Sequence, residues 1–210
     1  MSRRAHFNLT ARVLHWSMAA LILTMLFVGI GMVASLSLRP TLVSLHRPLG
    51  IAILLLVIVR LINRVRHSPP PLPADLPTVQ VFAAKASHWL LYTLMFAMPL
   101  IGWSMLSAGG YPVTMFKSFA LPPIAPHSAT VYAVLRSAHT WLALLLFATV
   151  LMHLAAALFH AWVRRDRVFG SMARGRTDEP AAAMAPVAVE VMADAASETT
   201  SIPDARTPGR

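Results

Sequence analysis

The chain contains no cysteine among its 210 residues. This absence excludes disulfides, thioether-attached cofactors, cysteine-ligated iron–sulfur clusters and thiolate zinc sites. The sequence also lacks a phosphate-binding loop, a glycine-rich dinucleotide turn and a serine nucleophile motif in a suitable context, and it shows no obvious internal repeat. Histidine, with nine copies, is therefore the strongest ligand for a borderline metal ion that the chain offers.

Long apolar runs dominate the sequence, with 57% hydrophobic residues and a mean hydropathy of +0.63. These values are not typical of a soluble single domain. Four runs are long enough to cross a hydrocarbon layer of about 30 Å, and they are Val13 to Leu36, Leu45 to Ile62, Ser87 to Ser107 and Tyr132 to Val163. The first run is too long for a typical signal-peptide core and lacks a clear cleavage site, so it is interpreted as a retained helix. The sequence thus predicts an all-α, integral membrane four-helix bundle.

The basic residues are divided unevenly between the two sides of this bundle. The formal net charge is +10, but no basic run interleaves with aromatics on a soluble domain, which disfavours nucleic acid as a partner. Twelve basic residues fall on the N-terminus, the second connection and the segment after the fourth run, and four fall on the other side: Arg39, Arg47, Lys117 and Arg136. The positive-inside rule then predicts that both termini are cytoplasmic and that residues 109–129 are periplasmic.

The connections predict how the helices follow one another. A short connection near Ser37 to Ser44, with Arg39-Pro40 as its turn, makes the first two helices antiparallel neighbours. The prolines between His67 and Pro77 predict an extended linker. Aromatic residues and prolines in residues 109–129 predict a folded cover at the membrane interface. From about Thr177 no apolar periodicity remains, so the chain is divided into a transmembrane domain, 1–176, and a disordered cytoplasmic tail, 177–210.

Four histidines pair by depth inside the predicted bundle. His139 and His153 are fourteen residues apart in the fourth run, which places them about 21 Å apart on one face of a helix. His46 stands near the periplasmic start of the second helix and therefore pairs with His139. His15 stands near the cytoplasmic start of the first helix and pairs with His153. Ionisable residues inside a membrane are usually functional and neutral imidazole is a standard axial ligand of haem iron, so the pairs predict an outer and an inner haem site.

Arginines at both ends of the bundle suit the carboxylates of such a cofactor. Arg47 and Arg136 lie beside the predicted ligands of the outer site, where they meet propionates or an anionic substrate. Arg60 and Arg64 serve the inner site in the same way. Gly29 leaves room for a flat group beside the first helix, although a small residue there also suits helix packing.

Two further histidines have roles that the sequence leaves open. His88 starts the third run and His160 lies two turns beyond His153, so each contacts propionate or quinone or replaces one of the chosen ligands. Simpler alternatives remain beside these predictions, because a single histidine at a helix end often serves as an interfacial residue. Met18 and Met152 keep a His/Met ligand set as a further alternative.

Several short motifs resemble those of the bacterial cytochrome b561 family, which is also seen in b-type subunits of hydrogenases and related membrane reductases. Each motif is weak alone, and together they are specific over about residues 5 to 176. The segments are Ala11-Arg12-Val13-Leu14-His15-Trp16, Leu45-His46-Arg47-Pro48-Leu49-Gly50, Arg60-Leu61-Ile62-Asn63-Arg64, Ser87-His88-Trp89-Leu90-Leu91-Tyr92, Pro99-Leu100-Ile101-Gly102-Trp103, Ala138-His139-Thr140-Trp141, His153-Leu154-Ala155-Ala156-Ala157-Leu158-Phe159-His160 and Arg164-Arg165-Asp166. The family often has a His-His pair at the end of helix four, whereas here Ala161 follows His160.

The resemblance implies a bacterial inner-membrane protein with two b haems that exchanges electrons with the quinone pool. One branch is similar to superoxide oxidases, which take electrons from superoxide at the periplasmic face and pass them to ubiquinone. Under that hypothesis four basic residues steer the anion toward the outer haem: Arg39, Arg47, Lys117 and Arg136. Alternatively, these charges meet propionates and lipid phosphates. The alternative function is a haem-carrying membrane subunit of a hydrogenase- or dehydrogenase-type complex with a redox protein partner. A metal transporter is disfavoured, because inverted repeats and pairs of broken helices are missing.

Overall fold

The computed structural model describes residues 7–67, 76–115 and 119–173. Its four long helices are α1 (Leu9–Ala34), α2 (Arg39–Arg66), α3 (Thr78–Ala108) and α4 (Ala129–Phe159). Each is long and apolar enough to cross a membrane, with the fourth span continuing to Arg164. The predicted helical membrane bundle is confirmed. The proposed linker at 68–75 and the tail at 177–210 lie outside the described residues.

The second helix begins earlier than predicted. Because α2 starts at Arg39 and carries Pro40 in its first turn, the predicted turn at Arg39-Pro40 is wrong. Proline suits the first helical turn, where its missing N–H has no helical partner to lose. The connection between α1 and α2 is therefore only residues 35–38.

Side-chain caps fix where the helices start and which ends lie together. The side chain of Asn8 accepts a hydrogen bond of 2.7 Å from the backbone N–H of Ala11, which caps α1. Ser128 caps α4 in the same way. Asn8 also donates its amide N–H to Asn63 Oδ1 at 3.4 Å. The start of α1 and the end of α2 consequently lie at the same end of the bundle, as an antiparallel pair requires.

The helices pack in sequence order around a small apolar core. α1 packs against α2, α2 against α3, and α3 against α4. The buried core residues are Met18, Ile22, Ile53, Leu54, Val57 and Met95. Large apolar side chains on the outer faces stay exposed, with Phe27 at 73% and Trp141 at 72% exposure. In a bilayer such faces contact lipid tails, so this apolar surface agrees with a membrane-spanning bundle.

The connection from α3 to α4 is folded, as the sequence predicted. Strand β1 (Val113–Met115) pairs antiparallel with β2 (Phe119–Leu121). Trp103 near the end of α3 donates its indole N–H to the carbonyl of Pro122 at 3.0 Å. This bond holds the hairpin across the end of the bundle. Lys117, one of the predicted outer basic residues, lies outside the described residues.

A short segment after α4 folds back onto α1. The chain forms a π-helical turn at His160–Arg164, passes through the left-handed residue Arg165 (φ 51°) and continues as α5 (Arg167–Ala173). Arg12 of α1 donates to two carbonyls at the end of α5, at 3.3 and 2.9 Å. The sequence did not predict this contact, which fixes α5 beside the start of α1.

Candidate functional site

His46 and His139 form the first histidine pair, called the hairpin-end pair because it lies near the β hairpin. Their ring centroids are 6.1 Å apart and their planes cross at 67°. The Nδ1 atoms of both rings are buried and have no hydrogen-bond partner within the described residues. An unsatisfied buried polar atom costs about 1–3 kcal/mol. Two such atoms in neighbouring rings indicate that a further group belongs between these helices.

A cavity of about 780 Å³ opens beside this pair. Both histidines line it, and Val113 of β1 forms part of its wall, so the hairpin closes one side. The other walls are almost entirely apolar and include four methionines: Met25, Met95, Met98 and Met105. Ligand pockets in proteins are mostly apolar with a few polar groups. The lining of the cavity therefore suits a mainly apolar cofactor.

Two glycines bring backbone close to this cavity. A Cβ atom on Gly102 would lie 3.2 Å from Cε1 of His139, which is tighter than ordinary contact. Gly50 lines the same cavity, and its nearest neighbour would be Met25 at 3.8 Å. A Cβ on Gly29 would meet nothing within 4 Å, but Gly29 does not line this cavity, so its role beside a cofactor stays a prediction. Gly31 differs, because its Cβ would meet Leu42 at 2.9 Å and the glycine therefore serves the packing of α1 on α2.

The two arginines predicted beside this pair have different positions. Arg47 lines the cavity and donates from Nη1 to the carbonyl of Pro112 at 3.3 Å, while its Nε is buried without a partner among the described residues. Arg136 is exposed on α4, and its Nη1 lies 3.5 Å from the hydroxyl of Tyr132. Arg47 is therefore the better placed of the two to meet an anion at the cavity.

His15, His88 and His153 form a second group, called the α5-end cluster because α5 lies beside it. The rings of His15 and His153 are 6.4 Å apart at an interplanar angle of 61°. The rings of His88 and His153 are 5.4 Å apart at 80°. The structure thus brings together the predicted pair and adds His88, whose role the sequence left open.

Arg60 connects this cluster to a tyrosine. Its Nη2 lies 3.0 Å from Nδ1 of His15, and its Nε donates to the hydroxyl of Tyr92 at 3.0 Å. The guanidinium carbons of Arg60 and Arg64 each lie 5.8 Å from the centre of the Tyr92 ring, a distance typical of a cation–π contact. The sequence did not single out Tyr92, although its place one turn after His88 on α3 put it on the same face.

The bond from Arg60 also fixes the proton of the His15 ring. Arginine has only donors, so Nδ1 of His15 accepts and a neutral ring carries its proton on Nε2. Coordination of a metal through Nε2 therefore requires that Arg60 first release Nδ1. The Nη1 of Arg60 is buried without a partner within the described part of the chain, so the arginine still has capacity for an anion.

His160 lies beyond this cluster and contacts an acid. Its Nδ1 is 2.6 Å from Oδ2 of Asp166, and Nε of Arg164 is 3.3 Å from the same oxygen. The other oxygen of Asp166 accepts from the backbone N–H of Val168 at 3.1 Å. These contacts fasten the turn between α4 and α5. A cofactor-binding role for His160 stays a prediction.

The spacing within the histidine pairs fits a shared metal ion. Two imidazole nitrogens about 2 Å on either side of one metal place the ring centroids about 6 Å apart. The separations of 6.1 Å in the hairpin-end pair and 6.4 Å between His15 and His153 agree with this arrangement. Together with the cavity and the unpartnered Nδ1 atoms, the distance at the hairpin end fits a haem held between His46 and His139. At the α5 end the ring distance alone agrees with such a site.

Membrane-length helices with buried histidine pairs define a class of bundle that holds a redox cofactor between facing helices. The model of one family, the prokaryotic cytochrome b561 proteins, matches residues 6–175. The chain belongs to this family. Membership implies a b-type haem and a multi-pass membrane protein.

Several curated proteins are similar to the chain over most of its length. Cytochrome b561 homolog 2 of Escherichia coli strain K12 is 29% identical over 165 residues, which is 76% of this chain and 87% of the relative. Cytochrome b561 homolog 1 of the same strain is 28% identical over 173 residues, which is 76% and 92% respectively. A probable superoxide oxidase CybB of Yersinia pestis is 31% identical over 134 residues, covering 62% and 73%.

Proposed function

We propose that this protein holds two b haems and transfers electrons from superoxide at the hairpin end to a quinone within the bilayer. The spacing of the two histidine pairs carries the proposal, with 6.1 Å at the hairpin end and 6.4 Å between His15 and His153. A bound haem supplies reversible one-electron exchange. Superoxide gives one electron and becomes oxygen, while a quinone takes two electrons and two protons to become a quinol. Two superoxide ions are therefore consumed for each quinol.

The residues around the hairpin-end cavity select a small anionic donor. Val113 and the hairpin close one side of the cavity, which limits the access of water and of bulky donors. Arg47 lines the same cavity, and its Nε is buried with no partner in the described part of the chain. Its fixed positive charge attracts an anion and also pairs with a propionate. A donor of two atoms passes where a protein partner does not, which favours superoxide over a docked dehydrogenase.

The orientation of the bundle follows from its basic residues. Twelve of them lie on the side of the termini and four on the side of the hairpin. The positive-inside rule then places the termini in the cytoplasm and the hairpin in the periplasm, across the bacterial inner membrane. Arg60 and Arg64 accordingly belong to the cytoplasmic end, where they bind the propionates of the second haem near a quinone.

The haem content of single-ligand variants tests the proposal. Haem per polypeptide is measured by pyridine haemochrome in the wild type, His139→Ala and His153→Ala. We expect about two in the wild type and about one in each variant, because each substitution removes one axial ligand from one pair. The exposed residue His67 provides the control, and His67→Ala should keep both haems. A wild-type ratio near one, or an unchanged content in both variants, contradicts the pairing.

The rate at which a pulse of superoxide reduces the haems tests the proposed electron donor. We expect fast reduction that slows as salt is raised, because steering by exposed charge is screened over about 10 Å at 0.1 M salt. Arg47→Gln should slow the reduction and weaken its dependence on salt, while spectra after dithionite reduction stay intact. Arg39→Gln, a change of the same charge at the N-terminus of α2, is the matched control and should have a smaller effect. If the rate of reduction changed neither with salt nor in Arg47→Gln, a protein would be the better candidate for the electron donor.

A further inference from the structure

His88 is a half-buried histidine that neither proposed ligand pair uses. Its Nδ1 lies 2.7 Å from the backbone carbonyl of Ala84, one turn earlier on α3. A carbonyl oxygen only accepts hydrogen bonds, so Nδ1 of His88 carries the proton and donates. The neutral ring then keeps a free lone pair on Nε2. The bond to Ala84 thus holds His88 in one orientation as a hydrogen-bond acceptor.

The ring of His88 is close to a proposed axial ligand. The rings of His88 and His153 meet edge to face, with centroids 5.4 Å apart at 80°. Two imidazole rings that share an N–H···N bond of about 3 Å have centroids roughly 5 Å apart. The observed separation is close to that value and shorter than the 6.4 Å between His15 and His153. The distance from His88 to His153 therefore suits direct contact between the two rings. The longer distance from His15 to His153 suits a metal ion shared by those two rings.

Metal-ligating histidines normally need such a contact. The ring nitrogen that does not bind the metal usually donates its N–H to a fixed acceptor, which orients the ring and raises its basicity. Among the described residues, the histidines of the hairpin-end pair have buried Nδ1 atoms without a partner, and His15 faces the donor Arg60. Among the proposed ligands, His153 thus has a neighbouring imidazole that can accept a hydrogen bond from its ring.

We propose that His88 is a positioning residue for the axial ligand His153. Nε2 of His88 accepts the Nδ1–H of His153, while Nε2 of His153 binds the iron of the α5-end haem. The inference rests on the proposed two-haem function. A more basic ligand stabilises ferric iron, so His88 lowers the reduction potential of this haem and leaves the other unchanged.

Potentiometric titration of the full-length two-haem protein tests the inference. His88→Phe removes the acceptor, and we expect the potential of one haem to rise by about 59 mV, a tenfold change for a one-electron couple. The haem content stays at two, and the other potential does not move. His88→Gln retains an accepting oxygen and should restore most of the wild-type potential. His67→Phe makes the same chemical change at an exposed site and should shift neither potential.

Other results would overturn the inference in distinguishable ways. Loss of one haem in both His88→Phe and His88→Gln, with the fold intact by circular dichroism, would make His88 an axial ligand. Unchanged potentials in both variants would show that the ring contact has no electronic role. If His88→Phe does not accumulate, His88→Leu is titrated in its place with the same expectations. A wild type without bound haem would defeat the proposed function rather than the role of His88.

Discussion

Enlarging Gly102 should weaken the hairpin-end haem selectively. A Cβ at this position would lie 3.2 Å from Cε1 and 3.6 Å from Nδ1 of His139. The ring must then move by a few tenths of an ångström in Gly102→Ala, and much further in Gly102→Leu. His139 sits on helix α4 and lines the cavity that the proposed cofactor would fill, so its ring would have little freedom to move away.

The size of the effect follows from the cost of overpacking. Extra carbon atoms in a well-packed site cost about 1–3 kcal/mol, which corresponds to binding weaker by about 5- to 140-fold. We expect Gly102→Ala near the lower limit and Gly102→Leu near the upper one. Gly170→Ala is the matched control, because Gly170 lies in α5 and a Cβ there meets nothing within 4 Å.

The assay separates the two haems within one protein. Haem per polypeptide and the low-spin ferric signals are recorded for each variant after purification and after back-titration with haem. Gly102→Leu should lose the signal that His139→Ala also loses, and keep the signal that depends on His153. If Gly102→Leu binds two haems with unchanged spectra, the proposed position of the cofactor between α3 and α4 is refuted.

Two more predictions concern the contacts that hold the α5 end together. Tyr92→Phe deprives the charged Nε of Arg60 of its acceptor, so we expect the free energy of unfolding to fall by about 1–3 kcal/mol. Thermal unfolding in detergent measures this fall, and Tyr111→Phe, at an exposed tyrosine, should show little of it. Arg12→Ala removes both hydrogen bonds to the end of α5, so amide hydrogen exchange within α5 should speed up several-fold. The exchange rate in Arg12→Lys should lie between those of the wild type and Arg12→Ala, because lysine keeps the charge but not the forked donors. Equal exchange rates in all three proteins would contradict the role of this contact.

The pairing of the four histidines could be predicted from the sequence, because it depends on ideal helix geometry and on the order of the helices. A spacing of fourteen residues returns to the same face of any α-helix, and antiparallel order assigns the depth of each partner. The contacts of His15 with His153 and of His46 with His139 need no further information. Their role as iron ligands stays a prediction.

Helix ends and side-chain networks could not be predicted in this way. Hydropathy marks the part of a helix within the hydrocarbon, so it missed the six residues of α2 that precede Leu45. The contact of Arg60 with Tyr92 depends on how α2 is rotated against α3, which apolar periodicity did not fix. The bond from His160 to Asp166 requires the π-helical turn, for which the sequence carries no recognised signal.

The positive charge at the α5 end favours the binding of an anionic group there. Asp166 is the one carboxylate within residues 7–67, 76–115 and 119–173, and it is engaged by His160 and Arg164. Arg60 has an Nη1 that is buried without a partner among the described residues, and another of its donors contacts His15. A partly buried cation without a counter-ion is costly, and a haem propionate would remove that cost. If Arg60 turned toward a propionate, Nδ1 of His15 would be released and could carry the ring proton, which would leave Nε2 free to hold a metal. Arg60 would then link the neutralisation of its charge to ligation by His15.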